Sequence, residues 1–323
     1  MSTFKNIIET PYGPIPISDG PLKRKARLLQ GYYRKDILRE LKGTGPDKTS
    51  TQHYCNMLLD GKESGANFIT PEIFQYAKFR CHDKRNVETI EEFRLFNNML
   101  SSQPMCFNLF VPLRSAVRSG DKFVDKVLQK LLPDLKIERV INIEVEYIPV
   151  PIDDYINDKS AFDAFVEFRS KDGEKGAIGI ETKYVDSLGT NNPKDMKKKH
   201  LIANEIGCFT SEGLESIKTK CPQLVRNFML TEKYRMNHSF GRSQSIILAL
   251  QEDSEPEAEI QKLKKILRPE FQSKIAKISL EDFVTAIGTH CPSGYRRWIT
   301  KFQSRYLDMK KAVELGEAVG REW

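Results

Sequence analysis

From residue 139 to 150 the chain alternates, RVINIEVEYIPV, setting Ile141, Ile143, Val145 and Tyr147 against Asn142, Glu144 and Glu146. A period of two predicts a half-buried β-strand. The stretch 160–186, SAFDAFVEFRSKDGEKGAIGIETKYVD, predicts two more strands around a polar turn. Alternation puts Asp163, Phe165 and Glu167 on one face of the first, and Phe162, Ala164, Val166 and Phe168 on the other. On the second, Ala177, Gly179, Glu181 and Lys183 oppose Ile178, Ile180, Thr182 and Tyr184. Lys171-Asp172-Gly173 is turn chemistry, because glycine accepts positive φ and aspartate bonds its own turn. Pairing pivoted on Asp172 sets Asp163 opposite Glu181, with Cβ atoms about 4.5–5.5 Å apart. A slip of one residue would send the two acids to opposite faces. SIILAL, at 245–250, predicts a fourth, short and buried strand.

Helical spacing accounts for much of the rest. A basic helix is predicted from Pro21 to about Lys42, with Leu22, Leu28, Leu29, Tyr32, Tyr33, Ile37 and Leu41 as its apolar face. Further helices are predicted over 71–81, 87–102, 121–132 and 221–234, the second ended by Ser101-Ser102-Gln103-Pro104. GTGPDKTST reads as a loop, as does the lysine-rich run through Lys194 and His200. Residues beyond the acidic stretch 252–259 read as helical. The order helix, three strands, helix, strand predicts an α/β protein with an αβββαβ core and a mixed central sheet. The expected organisation is an N-terminal helical region over 1–120, the core over 121–255 and a C-terminal helical extension over 256–323.

Composition narrows the classes. The 323 residues carry 51 Lys+Arg against 44 Asp+Glu, and the net charge of +7 favours a polyanionic partner. No apolar run approaches the ~18 residues of a membrane span, and the first residues lack a signal peptide's apolar core. A soluble, cytoplasmic protein is expected. The six cysteines form no CxxC pair and read as reduced thiols rather than zinc ligands. There is no HExxH, P-loop or dinucleotide fingerprint.

Chemistry concentrates on the predicted hairpin. An acid two places before a lysine occurs six times, at Glu40, Asp60, Asp134, Glu181, Asp195 and Asp308. Only the copy at Glu181 ends an apolar strand and follows another strand carrying its own acid. Like charges opposed on a sheet need a cation or a lysine between them.

Several blocks look like successive blocks of one family: NFITPEIFQYAKFR, RLFNNMLSSQPMCFNLFVPL, FDAFVEF, IGIETKY and QLVRNFML. The chain resembles a set of bacterial PD-(D/E)XK, restriction-endonuclease-like proteins from about Arg34 to Leu250. Phe162 stands where the motif's name has proline. The resemblance implies a Mg²⁺- or Mn²⁺-dependent endonuclease acting on DNA, with RNA as the alternative substrate and bacterial defence or restriction as the setting. It implies metal ligation by Asp163, Glu181 and the Thr182 carbonyl, with Lys183 orienting the attacking water or neutralising the phosphate. Many relatives add a glutamate from an early helix, for which Glu91 and Glu92 are candidates, with Glu88 behind them. Gln103 and Asn108 are candidates for holding structure around the site.

Gln223 and Arg226 share a helix face and either look into the cleft or form a buried pair. Lys194, Lys197, Lys198 and Lys199 either track a phosphate backbone or form a solvated loop. Lys23, Arg24, Lys25, Arg27, Arg34 and Lys35, with Tyr32 and Tyr33, offer a further basic surface or, for the tyrosines, core. Cutting both strands would favour a homodimer. The competing class is a nucleic-acid-binding or scaffold protein with a nuclease-like fold and no turnover.

Overall fold

Five strands in sequence order make the central sheet of the computed structural model, which describes residues 7–82, 90–318 and 320. They are β1 (Ile137–Tyr147), β2 (Phe162–Ser170), β3 (Lys175–Thr182), β4 (Arg242–Ala249) and β5 (Ile275–Ser279). The first three pair antiparallel, and β3–β4 and β4–β5 pair parallel. Parallel neighbours need a crossover, supplied by the helices Gln223–Asn237 and Glu255–Ile266. This is the expected α/β core with a mixed sheet. The strand β5 lies in a segment read as helical; at five residues it is too short for periodicity to declare.

The β2–β3 register is the one pivoted on Asp172: Ala164 faces Ile180, Glu167 faces Ala177 and Arg169 faces Lys175. Gly173 turns with φ +86°. One sheet face carries Ala164, Val166, Phe168, Ile178, Ile180, Ile246 and Leu248 into a core with helices Ser102–Arg118 and Phe123–Leu131. The other carries Phe165, Ala177, Ile247 and Ala249 against Gln223–Asn237.

Strict alternation fails at three places on β1, the first between Ile137 and Arg139, and once on β2. A register shift between Val140 and Asn142 buries Val140 and leaves Ile141 41% exposed. Glu146 takes φ +52°, so Tyr147 leaves the layer of Ile143 and Val145 and packs 5.2 Å from Phe165. Phe162 joins the same layer, 4.9 Å from Phe165, and not the Ala164 face.

Helix predictions also need correction. Ser101 to Pro104 starts a helix, Ser102–Arg118, rather than breaking one. Ser101 caps it by accepting from Gln103 N, and Pro104 falls in the first turn, where a missing N–H costs nothing. Upstream, only Glu92–Asn97 is helical, and residues 87–89 lie outside the described residues. The lysine-rich loop is largely the helix Met196–Ile206, capped by Asp195.

The basic helix Pro21–Tyr32 passes into a π-helical turn, Tyr33–Ile37, whose wider winding rotates the apolar face. Helical structure stops at Ile37, short of the expected Lys42, so Leu41 lies beyond it; Ile37 and Leu41 end 50% and 70% exposed, while Arg27 and Arg34 are buried. Arg27 pairs with Asp19 at 2.5 Å, and Arg34 donates to the carbonyls of Cys55 and Tyr12, each at 2.8 Å. These two cations are structural, not a basic surface. Two small hairpins, Ile7–Ile8 with Ile15–Pro16 and Lys42–Thr44 with His53–Leu58, were not anticipated. No helix among the described residues is long and apolar enough to cross a membrane.

Arg305, 1% exposed, ties distant parts together. Its guanidinium donates to Asn67 O (2.8 Å), Asn67 Oδ1 and Gln30 Oε1 (3.3 Å). Gln30 Nε2 in turn donates to Arg305 O (2.7 Å) and Tyr184 OH (3.3 Å). Replacing Arg305 by Met strands several buried acceptors at once. It is expected to cost about 3 kcal/mol of stability, read from the midpoint of denaturant unfolding.

Candidate active site

Asp163 and Glu181 stand one step beyond the last paired residues of β2 and β3, so the same register carries them across from each other. Asp163 Oδ2 accepts from Thr182 N (2.7 Å) and Thr182 Oγ1 (2.8 Å). Glu181, 5% exposed, is gripped from three sides. Lys183 Nζ lies 2.9 Å from Oε1, Gln223 Nε2 donates to Oε1 (2.8 Å) and Asn227 Nδ2 donates to Oε2 (2.6 Å). Gly189 N donates to Gln223 Oε1 (2.9 Å), orienting that amide.

Gln223 thus enters the site, but its partner there is Asn227, one helical turn on, and not Arg226. Arg226 donates to the carbonyls of Asn191 (2.8 Å) and Cys221 (2.7 Å) and lies 3.9 Å from Asp158. Asn227 was missed, although its i,i+4 spacing from Gln223 was there to read.

A third acid, Glu146, comes from the end of β1. Its carboxylate accepts from Gln103 Nε2 at 3.0 Å. Arg80 donates to the carbonyls of Val145 and Glu146, holding the left-handed turn of the backbone. Glu146 stood in the sequence as one polar position of an alternating strand, and no sequence signal marked the backbone turn. Of the helix candidates, Glu91 caps its own helix, accepting from Phe93 N and Arg94 N, and Glu92 pairs with Lys62 at 2.8 Å. Glu88 lies outside the described residues. Asn108 is buried in the Arg305 network, donating to Asn67 O and Tyr306 OH, each at 2.9 Å.

The charges act on one another. Burial raises the Asp163 carboxyl well above the usual aspartate range, and repulsion from Glu181 and Glu146 adds to it. Burial likewise pushes Glu146 up to about 7; the Gln103 hydrogen bond opposes the shift and Glu181 reinforces it. Burial works against the Lys183 ammonium, but Glu181 and Asp163 outweigh it and hold its pKa above the ordinary lysine value.

A cleft of about 620 Å³ opens beside Asp163, lined among others by Gln223, Asn227, Lys194, Lys198 and Arg226. Lys194 is exposed, and Lys198 lies 3.7 Å from Asp153. Lys197 is exposed but does not line the cleft. Lys199 is not available as a surface contact: it is 2% exposed, pairs with Asp158 at 2.7 Å and donates to Ile156 O.

Among the described residues no three His, Cys, Asp or Glu side chains converge as a metal cage. The oxygen-rich pair Asp163–Glu181 instead fits a hard cation that keeps much of its water. A buried acceptor with no partner, Gln103 Oε1, stands beside Glu146 and agrees with that. A family model of the PD-(D/E)XK nuclease superfamily matches residues 17–308. No curated protein and no solved structure gives a match.

The Asp163 shift has a sign that can be tested. An aspartate whose folded pKa is raised ionises more easily in the unfolded chain, so rising pH favours unfolding until the folded carboxyl also ionises. Asp163→Asn keeps an acceptor for Thr182 and removes the charge. In EDTA the variant should melt a few degrees above wild type at about pH 8, with the gain fading toward about pH 4, as followed by circular dichroism.

Proposed function

The chain belongs to the PD-(D/E)XK nuclease superfamily, and from that premise we propose that it hydrolyses DNA phosphodiesters with Mg²⁺ or Mn²⁺ at Asp163, Glu181 and Lys183. The observation that carries the reading is the opposition of Asp163 and Glu181 at one end of the sheet, with Lys183 Nζ 2.9 Å from Glu181.

Asp163, Glu181 and the Thr182 carbonyl would hold the cation. When bound, it supplies an acidified water and offsets charge building on phosphorus. Gln223 and Asn227 keep the Glu181 carboxylate in one orientation by bonding both of its oxygens. With its pKa raised, Lys183 stays an ammonium at neutral pH. In that form it would orient the attacking water or pair with the scissile phosphate. Lys194 and Lys198, on the cleft wall, suit a phosphate backbone approaching Asp163. Overall basicity favours nucleic acid, and DNA is preferred to RNA. Bacterial defence or restriction is the setting proposed, in the cytoplasm, with a homodimer where both strands are cut.

Incubation of supercoiled and linear DNA, and of RNA, with Mg²⁺ or Mn²⁺ tests this. Lys183→Ala should lower the cleavage rate by at least about 100-fold. Cleavage unchanged by that substitution would overturn the site, and no cleavage of any substrate would favour a binding protein. Separately, Lys194→Glu with Lys198→Glu should weaken DNA binding and flatten its salt dependence, measured by fluorescence anisotropy across a salt series.

A further inference from the structure

Gln103 uses only half of its amide. It sits in the first turn of Ser102–Arg118 and is 7% exposed. Nε2 donates to Glu146 Oε1 at 3.0 Å, whereas Oε1 is buried without a hydrogen-bond partner. A buried carbonyl oxygen lacking a donor costs about 1–3 kcal/mol. With Glu146 ionised, turning the amide over would not relieve it, because two acceptors, Oε1 and the Glu146 carboxylate, would then face each other. The position is otherwise closely held: Ser101 caps the helix start, and Arg80 fixes the backbone that carries Glu146. The unpaired oxygen is thus free to accept from a donor brought to it, water included.

We propose that Gln103 Oε1 accepts a hydrogen bond from a water in the shell of the cation held by Asp163 and Glu181, with Glu146 anchoring the amide through Nε2. Mg²⁺ and Mn²⁺ sites of few carboxylates leave several waters in place, and each such water must place its hydrogens on acceptors. Water polarised by a cation is the stronger donor, whereas the neighbouring carboxylates offer no hydrogens of their own when ionised. Gln103 is thus a positioning residue: it reaches the ion through water and gives that water one orientation. The proposal rests on the nuclease reading of the site.

Calorimetric titration of full-length protein with Mn²⁺ tests it, with melting temperatures measured alongside. Wild type is compared with Gln103→Leu, Gln103→Glu and Asp163→Asn. Gln103→Leu should weaken Mn²⁺ binding about 10–100-fold, the usual cost of losing a partner one shell out. Gln103→Glu, which keeps an acceptor oxygen, should bind at least as tightly as wild type and also serves as the informative variant where Leu fails to fold. Mn²⁺ affinity unchanged in Gln103→Leu but lost in Asp163→Asn would overturn this inference alone. Equal weakening in Gln103→Leu and Gln103→Glu would also overturn it, since the amide would then act only by holding Glu146. Wild-type affinity in Asp163→Asn, or no binding by wild type, would overturn the metal site itself.

Discussion

The registration of β2 against β3 is the constraint on which the site depends, and close packing helps to enforce it. Gly179 is a point of close approach: a Cβ there would stand 2.3 Å from Thr231 Oγ1 and 2.6 Å from Phe162. Its absence lets the helix Gln223–Asn237 settle on β3, and that depth of packing brings Gln223 and Asn227 onto Glu181. Gly176 likewise makes room for the ring of Phe168, its partner across the same β2–β3 pair. A shifted register would put side chains where these gaps are needed. It would also turn Asp163 away from Thr182.

Within that frame the site is an electrostatic conflict kept in check by fixed donors. Asp163, Glu181 and Glu146 repel one another in a poorly solvated place, where isolated charges are disfavoured. Lys183, Asn227, Gln223 and Thr182 each donate to an acid oxygen, but none abolishes the repulsion. A divalent cation would relieve it directly. The fold thus holds its acids in an arrangement suited to a ligand rather than to its own stability, a usual compromise at functional sites.

How much was legible follows from how local each determinant is. The β2–β3 register could be read to the residue because its turn and pivot lie within one short stretch. Glu181 stood apart from five similar triplets for the same reason. Glu146 could not be singled out, since its left-handed backbone is held by Arg80, 66 residues earlier. Lys199 looked like its neighbours in a basic run, and only Asp158 and Ile156 O, brought in by the fold, make it a buried strut. The helix from Ser102 was hidden by a serine and a proline that end helices in one position and begin them in another. The π-helical turn after Tyr32 rotated a face whose apolar spacing was otherwise regular.

The Arg305 knot bears on the order in which the protein can be made. Gln30 and Arg305, 275 residues apart, close around the hydroxyl of Tyr184, the neighbour of Lys183. The sheet and all three acids precede Arg305 in the chain by a wide margin. During synthesis, the strands that carry the acids therefore emerge well before the packing behind Lys183 can be completed. A nascent chain in that interval has the carboxylates without their finished support, and the helical turn that carries Arg305, Gln303–Leu307, closes the frame around them.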